Sequence, residues 1–140
     1  MKKIKVIIML TLFMSASLFA QSRDFGNLEV HYSALPSTFI QANIAKNYGI
    51  QRSEYIGLVN ITILDKYQHL KAKKATITGN GRNLIGQSIP LKFKKITEGD
   101  AIYYIAQYRF TNKEMVNFDI YIKTANKNNN LTFQHTFYVE

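Results

Sequence analysis

The sequence contains no cysteine, and this absence excludes several classes of protein. Without cysteine the fold has no disulfide bonds, so packing alone must stabilise it. Thiol catalysis and thiolate metal sites are excluded as well. A lipoprotein anchor is also excluded, because the lipid would be attached to a cysteine.

Recognisable catalytic motifs are missing too. The three histidines form no H-x-H or H-E-x-x-H motif, and there is no G-x-S-x-G elbow. The nine acidic residues are scattered and show no obvious acid/base pair. We therefore predict no catalytic residues, no metal ligands and no cofactor, which makes a hydrolase or metal-dependent enzyme the least favoured interpretation. Whether His31 and His135 meet in space stays open.

Apolar runs long enough to span a bilayer are absent from the sequence. The N-terminus carries three lysines, then an apolar segment over residues 6–13, then small residues up to Ala20. This order is typical of a secretory signal peptide. We predict a signal peptide over residues 1–20, cleaved after Ala20, and a single exported domain over residues 21–140. A signal anchor that stays attached is the alternative.

Acidic residues are outnumbered by basic ones, and the formal net charge is +9. Removal of residues 1–20 removes three lysines and no acid, which lowers this charge to +6. Export makes nucleic acid an unsuitable partner, so an anionic membrane surface or an acidic protein fits the charge better. The simpler interpretation, which we favour, is that lysines keep exposed strands soluble and prevent edge pairing.

Alternation of apolar and polar residues dominates the chain from Phe25 onward. It is clearest at residues 116–123 and again at 131–139, which is typical of strands with one buried face. The run from Ile102 to Phe110 is apolar on both sides and predicts a central strand. Seven such strands at this spacing favour an all-β, antiparallel β-sandwich, with a small barrel as the alternative.

One segment departs from the alternation. Ile40, Ile44 and Tyr48 recur at four-residue spacing and are followed by Gly49. This spacing predicts one short helix that ends in a glycine cap.

The stretch from Gly81 to Ser88 resembles a phosphate-binding loop, G-x-x-x-x-G-K-[ST], except that Gln87 replaces the lysine. Such a loop needs a buried parallel strand before it and a helix after it. Here an alternating strand precedes the stretch, and the following residues, which include Pro90, also alternate as a strand. We therefore interpret it as a glycine-bent connection and not as a nucleotide site.

Several sequence blocks, in order, carry a family resemblance over essentially the whole mature chain. They include EVHYSAL at 29–35, AKNYGI at 45–50, RNLIGQ at 82–87, AIYYIA at 101–106 and FQHTFY at 133–138. The sequence resembles the domain of unknown function 4426 family, small exported proteins of Gram-negative bacteria. The resemblance implies a periplasmic immunoglobulin-like β-sandwich. It implies no activity and no site residues.

These observations favour a non-catalytic periplasmic interaction module that binds a periplasmic protein or another envelope component. We predict contacts from Arg82, Asn83 and Gln87, with Lys92 and Lys94 as supporting charge. The alternative is a binder of a small apolar or anionic ligand such as a lipid, suggested by the nine tyrosines and nine phenylalanines. Core packing explains most of these aromatic residues in a sandwich. The sequence does not indicate an oligomeric state.

Overall fold

The computed structural model describes residues 21–139, so the predicted signal peptide lies outside the described residues. Strands make up most of this part of the chain, with single turns of 3₁₀ helix at Ser37–Phe39 and Lys66–Gln68. The remaining elements are β1 (Gln21–Phe25), β2 (Leu28–Pro36), α1 (Ala42–Asn47), β3 (Ile56–Asp65), β4 (Lys71–Ala72), β5 (Thr76–Asn83), β6 (Ser88–Pro90), β7 (Lys94–Glu98), β8 (Ala101–Arg109), β9 (Glu114–Lys123) and β10 (Asn128–Phe137). Within residues 21–139, no helix is long and apolar enough to cross a membrane.

Two antiparallel sheets contain these strands. Sheet A has the order β1-β2-β3-β8-β7, with β4 paired to the end of β3, and sheet B has the order β10-β9-β5-β6. Among the described strands none pairs across from one sheet to the other, so the sheets do not close into a barrel. The prediction of an antiparallel β-sandwich is confirmed.

The chain changes sheets within the run that alternation marks as a single strand at residues 89–94. Ser88–Pro90 pairs with β5 in sheet B, and Lys94–Glu98 pairs with β8 in sheet A. Leu91 is buried at the crossing point. Apolar alternation reports only which side chains are buried, so it does not reveal that the partner sheet has changed. This division, together with the short strands β1 and β4, raises the number of strands from about seven to ten.

The core lies between the sheets and is rich in aromatic rings. Phe137 stacks on Phe110 with ring centroids 4.7 Å apart, and Tyr108 meets Phe118 edge to face at 5.5 Å. Gly81 of β5 faces this cluster, and a Cβ there would lie 2.6 Å from the Tyr108 ring. The glycine therefore lets sheet B approach sheet A closely at this point.

The short helix covers part of the outer side of sheet A. Helix α1 buries Ile44 and Ala45, and Gly49 adopts a positive φ of +65° after its last turn, so the predicted glycine cap is confirmed. Leu58 of β3 is buried although its neighbour Val59 points into the core, so Leu58 faces outward under covering chain. Because sheet A is covered there, the outer side of sheet B is the more open large surface of the sandwich.

Candidate functional site

The outer side of sheet B presents polar side chains in cross-strand rows. Most inward positions of β9 and β10 are apolar, and the alternating outward positions are mainly polar and stand next to one another. The rows follow from the strand register and are Arg82–Asn117–Gln134, Asn80–Asp119–Thr132 and Thr78–Tyr121–Asn130. We call this surface the sheet B face.

An open depression of about 670 Å³ lies on the sheet B face. Its size is in the range of sites that hold small ligands or short polymer segments. Residues from three strands line it: Asn80, Arg82, Asn117, Phe118, Asp119, Tyr121, Thr132, Phe133 and Gln134. Most of these side chains are polar, so the depression offers hydrogen bonds more than apolar contact area.

Asp119 is the single carboxylate among the residues that line the depression. Its Oδ2 accepts a hydrogen bond of 3.0 Å from the Tyr121 hydroxyl, while its Oδ1 is buried and has no hydrogen-bond partner among the described residues. The hydrogen bond to Asp119 raises the pKa of Tyr121, because the neutral hydroxyl is the donor. A buried acceptor with no partner costs free energy, which a ligand donor would recover only by displacing the groups that cover Oδ1.

Arg82 lies at one end of the depression and is exposed. Within residues 21–139 its guanidinium makes no hydrogen bond or ion pair, although Asn117 and Gln134 beside it are joined by a 2.9 Å hydrogen bond. A guanidinium presents five donors in a fixed fork that matches carboxylate and phosphate oxygens. Arg82 is therefore available to a ligand.

Asn83 and Gln87 are used to close the β5–β6 hairpin. The Asn83 amide donates to Gln87 Oε1 at 2.8 Å, and the backbone N–H of Gln87 donates to Asn83 Oδ1 at 2.9 Å. Asn83 also reaches Glu114 Oε1 at 3.3 Å. The stretch with the phosphate-loop pattern thus lies on a strand, a turn and a second strand, and Gln87 replaces the lysine as part of the turn.

The structure does not bring the five predicted contact residues together. Lys92 is exposed in the segment that crosses between the sheets. Lys94 lies on β7 in sheet A, where its Nζ donates to the Tyr48 carbonyl at 3.0 Å and so helps hold the segment after α1. Of the five, only Arg82 lines the depression.

The tip of the β5–β6 hairpin is apolar and protrudes next to the sheet B face. Leu84 and Ile85 are 71% and 80% exposed. Two adjacent aliphatic side chains this exposed offer apolar contact area to a partner. The tip therefore extends the candidate contact surface beyond Arg82.

The two histidines in question do not form a common site. His31 points to the outer side of sheet A, 3.3 Å from Glu29, whereas His135 points into the sandwich and meets Phe137 edge to face. Burial lowers the pKa of His135. Among the residues that the structure describes, no group of three or more histidines and carboxylates could hold a metal ion.

Sequence reasoning did not single out the residues of β9 and β10 on the sheet B face, notably Asn117, Asp119 and Gln134. The signal was present, because these are the polar positions of the two clearest alternating runs. The cross-strand register, which places them beside Arg82, is not visible in the alternation.

The sequence profile of a known family, the domain of unknown function DUF4426, matches residues 22–140. The chain belongs to the DUF4426 family. A crystal structure of a DUF4426 family protein from Pseudomonas aeruginosa PAO1 is 31% identical, with a TM-score of 0.77, over 86% of this chain and 96% of that one. The resemblance noted in the sequence is thereby confirmed. No curated protein matches the sequence.

Two further solved structures share the fold of this DUF4426 protein at much lower identity. FetP of uropathogenic Escherichia coli strain F11, expressed in the periplasm of E. coli, is 11% identical with a TM-score of 0.62, over 86% of this chain and 94% of FetP. A copper-bound variant of FetP is 10% identical with a TM-score of 0.61, over 87% and 93% of the two chains. At these identities the likeness shows a common fold and nothing about the site.

Proposed function

We propose that the protein is an exported, non-catalytic binding module that contacts an envelope component through the sheet B face. The observation that carries this proposal is the depression in which Arg82 has no partner among the described residues and Asp119 Oδ1 is buried without one. Donors and acceptors left unused on a rigid sheet are typical of a surface that a polar ligand completes.

The composition of the face favours a partner recognised by hydrogen bonds. Three amides, two hydroxyls and a guanidinium surround one carboxylate, and no second acid lines the depression for acid/base work. The exposed Leu84 and Ile85 add apolar contact at one end, and sandwiches commonly bind through their end loops.

The alternative, an apolar ligand within the sandwich, receives less support. The aromatic residues that suggested it include Tyr103, Tyr104, Tyr108, Phe110 and Phe118. All except Tyr103, which is half-buried, lie in the core cluster. The rings of Tyr108, Phe110 and Phe118 each contact Phe137, so they fill the space between the sheets.

The proposal is tested by retention of purified protein on three envelope fractions: isolated peptidoglycan sacculi, vesicles containing anionic phospholipid, and immobilised periplasmic protein. We expect one fraction to retain the protein. Arg82→Ala should lower that retention at least tenfold, because it removes the free donor group, a loss of about 1.4 kcal/mol or more.

Lys46→Ala is the matched control, because Lys46 is an exposed cation on α1, on the covered side of sheet A. It changes the net charge equally but leaves the sheet B face intact. Equal losses of retention for the two variants would show nonspecific charge attraction and contradict the proposal. A failure of all three fractions to retain the protein would also contradict it.

Export is tested separately at the N-terminus. We expect the protein from the periplasmic fraction to begin at Gln21, because cleavage after Ala20 follows from the signal-peptide pattern. Intact-mass spectrometry of that fraction measures this directly. A protein that keeps residues 1–20, or that stays with the cytoplasmic fraction, would contradict export with cleavage.

A further inference from the structure

Three of the four sheet edges carry features that oppose pairing with another strand. The β7 edge has Lys94 and Lys95, and the β6 edge is three residues long and ends in Pro90. The β1 edge is five residues long and includes Arg23 and Asp24. Short length, lysine, other charges and proline are the usual protections of an edge strand.

The fourth edge, β10, lacks these protections. Asn128–Phe137 is ten residues long, with sequence NNNLTFQHTF, and contains no proline, lysine, arginine, aspartate or glutamate. It pairs with β9 in an unbroken ten-residue register. Among the strands within residues 21–139, none pairs with its other side.

One contact identifies which backbone groups face outward at this edge. The Arg23 guanidinium donates to the Thr132 carbonyl at 3.3 Å, so that carbonyl points away from β9. Backbone groups alternate in direction along a strand. The N–H and C=O groups of Gln134 and Thr136 therefore also face outward. An added strand would find backbone partners at these two residues, and at Thr132 it would share the carbonyl with Arg23.

The side chains along β10 indicate what such a strand would look like. Phe133 and His135 point inward but are only half-buried, because they lie at the rim of the core beside Tyr32 and Phe137. Thr132 and Gln134 point to the polar sheet B face. A strand added here would place alternate side chains against apolar rings and against polar groups, so it should alternate between apolar and polar residues.

The charged residues beside the β10 edge indicate the sign of the partner's charge. Arg23 lies on the edge, and Lys127 Nζ lies beside Gly26 in the turn between β1 and β2. Asp24 is next to Arg23, but it is already paired with Lys66 at 3.4 Å. A second copy of this chain paired through β10 would bring two Arg23 side chains together, whereas an acidic segment would pair with them.

We propose that the β10 edge accepts an extended segment of a partner protein as an additional strand of sheet B. The segment alternates apolar and polar residues and carries a carboxylate beside Arg23. Strand addition of this kind obtains affinity from main-chain hydrogen bonds and specificity from alternate side chains. It does not depend on ligand binding in the depression around Arg82.

The test is selection from a displayed library of random ten-residue peptides on the purified protein, followed by synthesis of the selected peptides. We expect them to alternate, to lack proline and to be acidic. Each backbone amide of a selected peptide is then N-methylated in turn. Methylation at every second position should weaken binding at least tenfold, and methylation at the positions between should leave it unchanged, because only every second N–H group of the peptide faces β10. Arg23→Ala should remove the preference for acidic peptides.

Gln134→Pro provides the change in the protein, because it deletes an outward N–H without removing a backbone hydrogen bond to β9. Gln134→Ala is its control, because it loses the same side-chain hydrogen bond to Asn117 but keeps the N–H. The Gln134→Pro variant should abolish peptide binding. If a thermal melt shows that this variant is not folded, the N-methylation series alone tests the proposal. Four results would overturn the proposal: no selected peptide, no two-residue periodicity, unchanged binding to folded Gln134→Pro protein, or a dimer of this chain in sedimentation that Gln134→Pro dissociates.

Discussion

Replacing Gly57 by alanine is expected to lower the free energy of unfolding by roughly 3 kcal/mol, the upper part of the usual range for overpacking a core. Gly57 is buried on β3, and an added Cβ would overlap the Phe137 ring. That ring is held by stacking on Phe110 at 4.7 Å and on Tyr108 at 6.0 Å, so it has little room to move. Chemical denaturation of the two proteins measures the difference.

Gly99→Ala separates packing from backbone strain in the same assay. Gly99 has a positive φ of +55° and open space around its Cβ position. Alanine at this position is destabilised only by the positive φ, which costs about 1 kcal/mol. If the two substitutions destabilise the protein equally, the close approach at Gly57 is not what requires a glycine.

Tyr108→Phe is expected to raise the free energy of unfolding by about 1 kcal/mol at neutral pH, because it removes a buried polar group that has no partner. The Tyr108 side chain is fully buried, and its hydroxyl makes no hydrogen bond among the described residues. The ring itself stays, so its contacts with Phe118 and Phe137 are kept. A loss of stability would show that the hydroxyl has a partner.

The same residue makes stability depend on alkaline pH. Burial, assisted by Glu114, raises the pKa of Tyr108 to about 12 from the ordinary value of 10.0. The unfolded chain therefore releases this proton at lower pH than the folded chain, and stability falls as pH rises from 10 towards 12. Tyr48, whose hydroxyl donates to Glu98, has its pKa raised to about 12 and acts in the same direction.

Denaturation curves at a series of pH values from 9 to about 12 measure this loss, and the decline should be shallower in Tyr108→Phe. Equal declines in the two proteins would mean that Tyr108 ionises as readily in the folded state as in the unfolded chain.

Much of the fold can be predicted from the sequence, because buried side chains recur at every second residue of a β-strand. The alternation at residues 116–123 and 131–139 falls largely in β9 and β10. The run from Ile102 to Phe110 covers most of β8, which lies between β3 and β7, and the residue after it. The crossing at Leu91 was not predictable, because one buried side chain looks the same in either sheet.

The candidate site depends on contacts between residues distant in sequence, which alternation does not report. Arg82 was singled out from its local block, but its neighbours Asn117 and Gln134 follow from strand register alone. Asn83 and Gln87 were predicted as contact residues from the same block, and their mutual hydrogen bonds within the hairpin depend on turn geometry.

The central proposal is that the sheet B face is the contact surface, and site-specific photo-crosslinking in living cells tests it most directly. A photo-reactive phenylalanine at Asn117, in the depression, is compared with the same residue at Lys46 on α1. We expect a discrete adduct from position 117, reduced at least tenfold by Arg82→Ala, and none from position 46. No adduct from position 117, or equal adducts from both positions, would contradict the proposal.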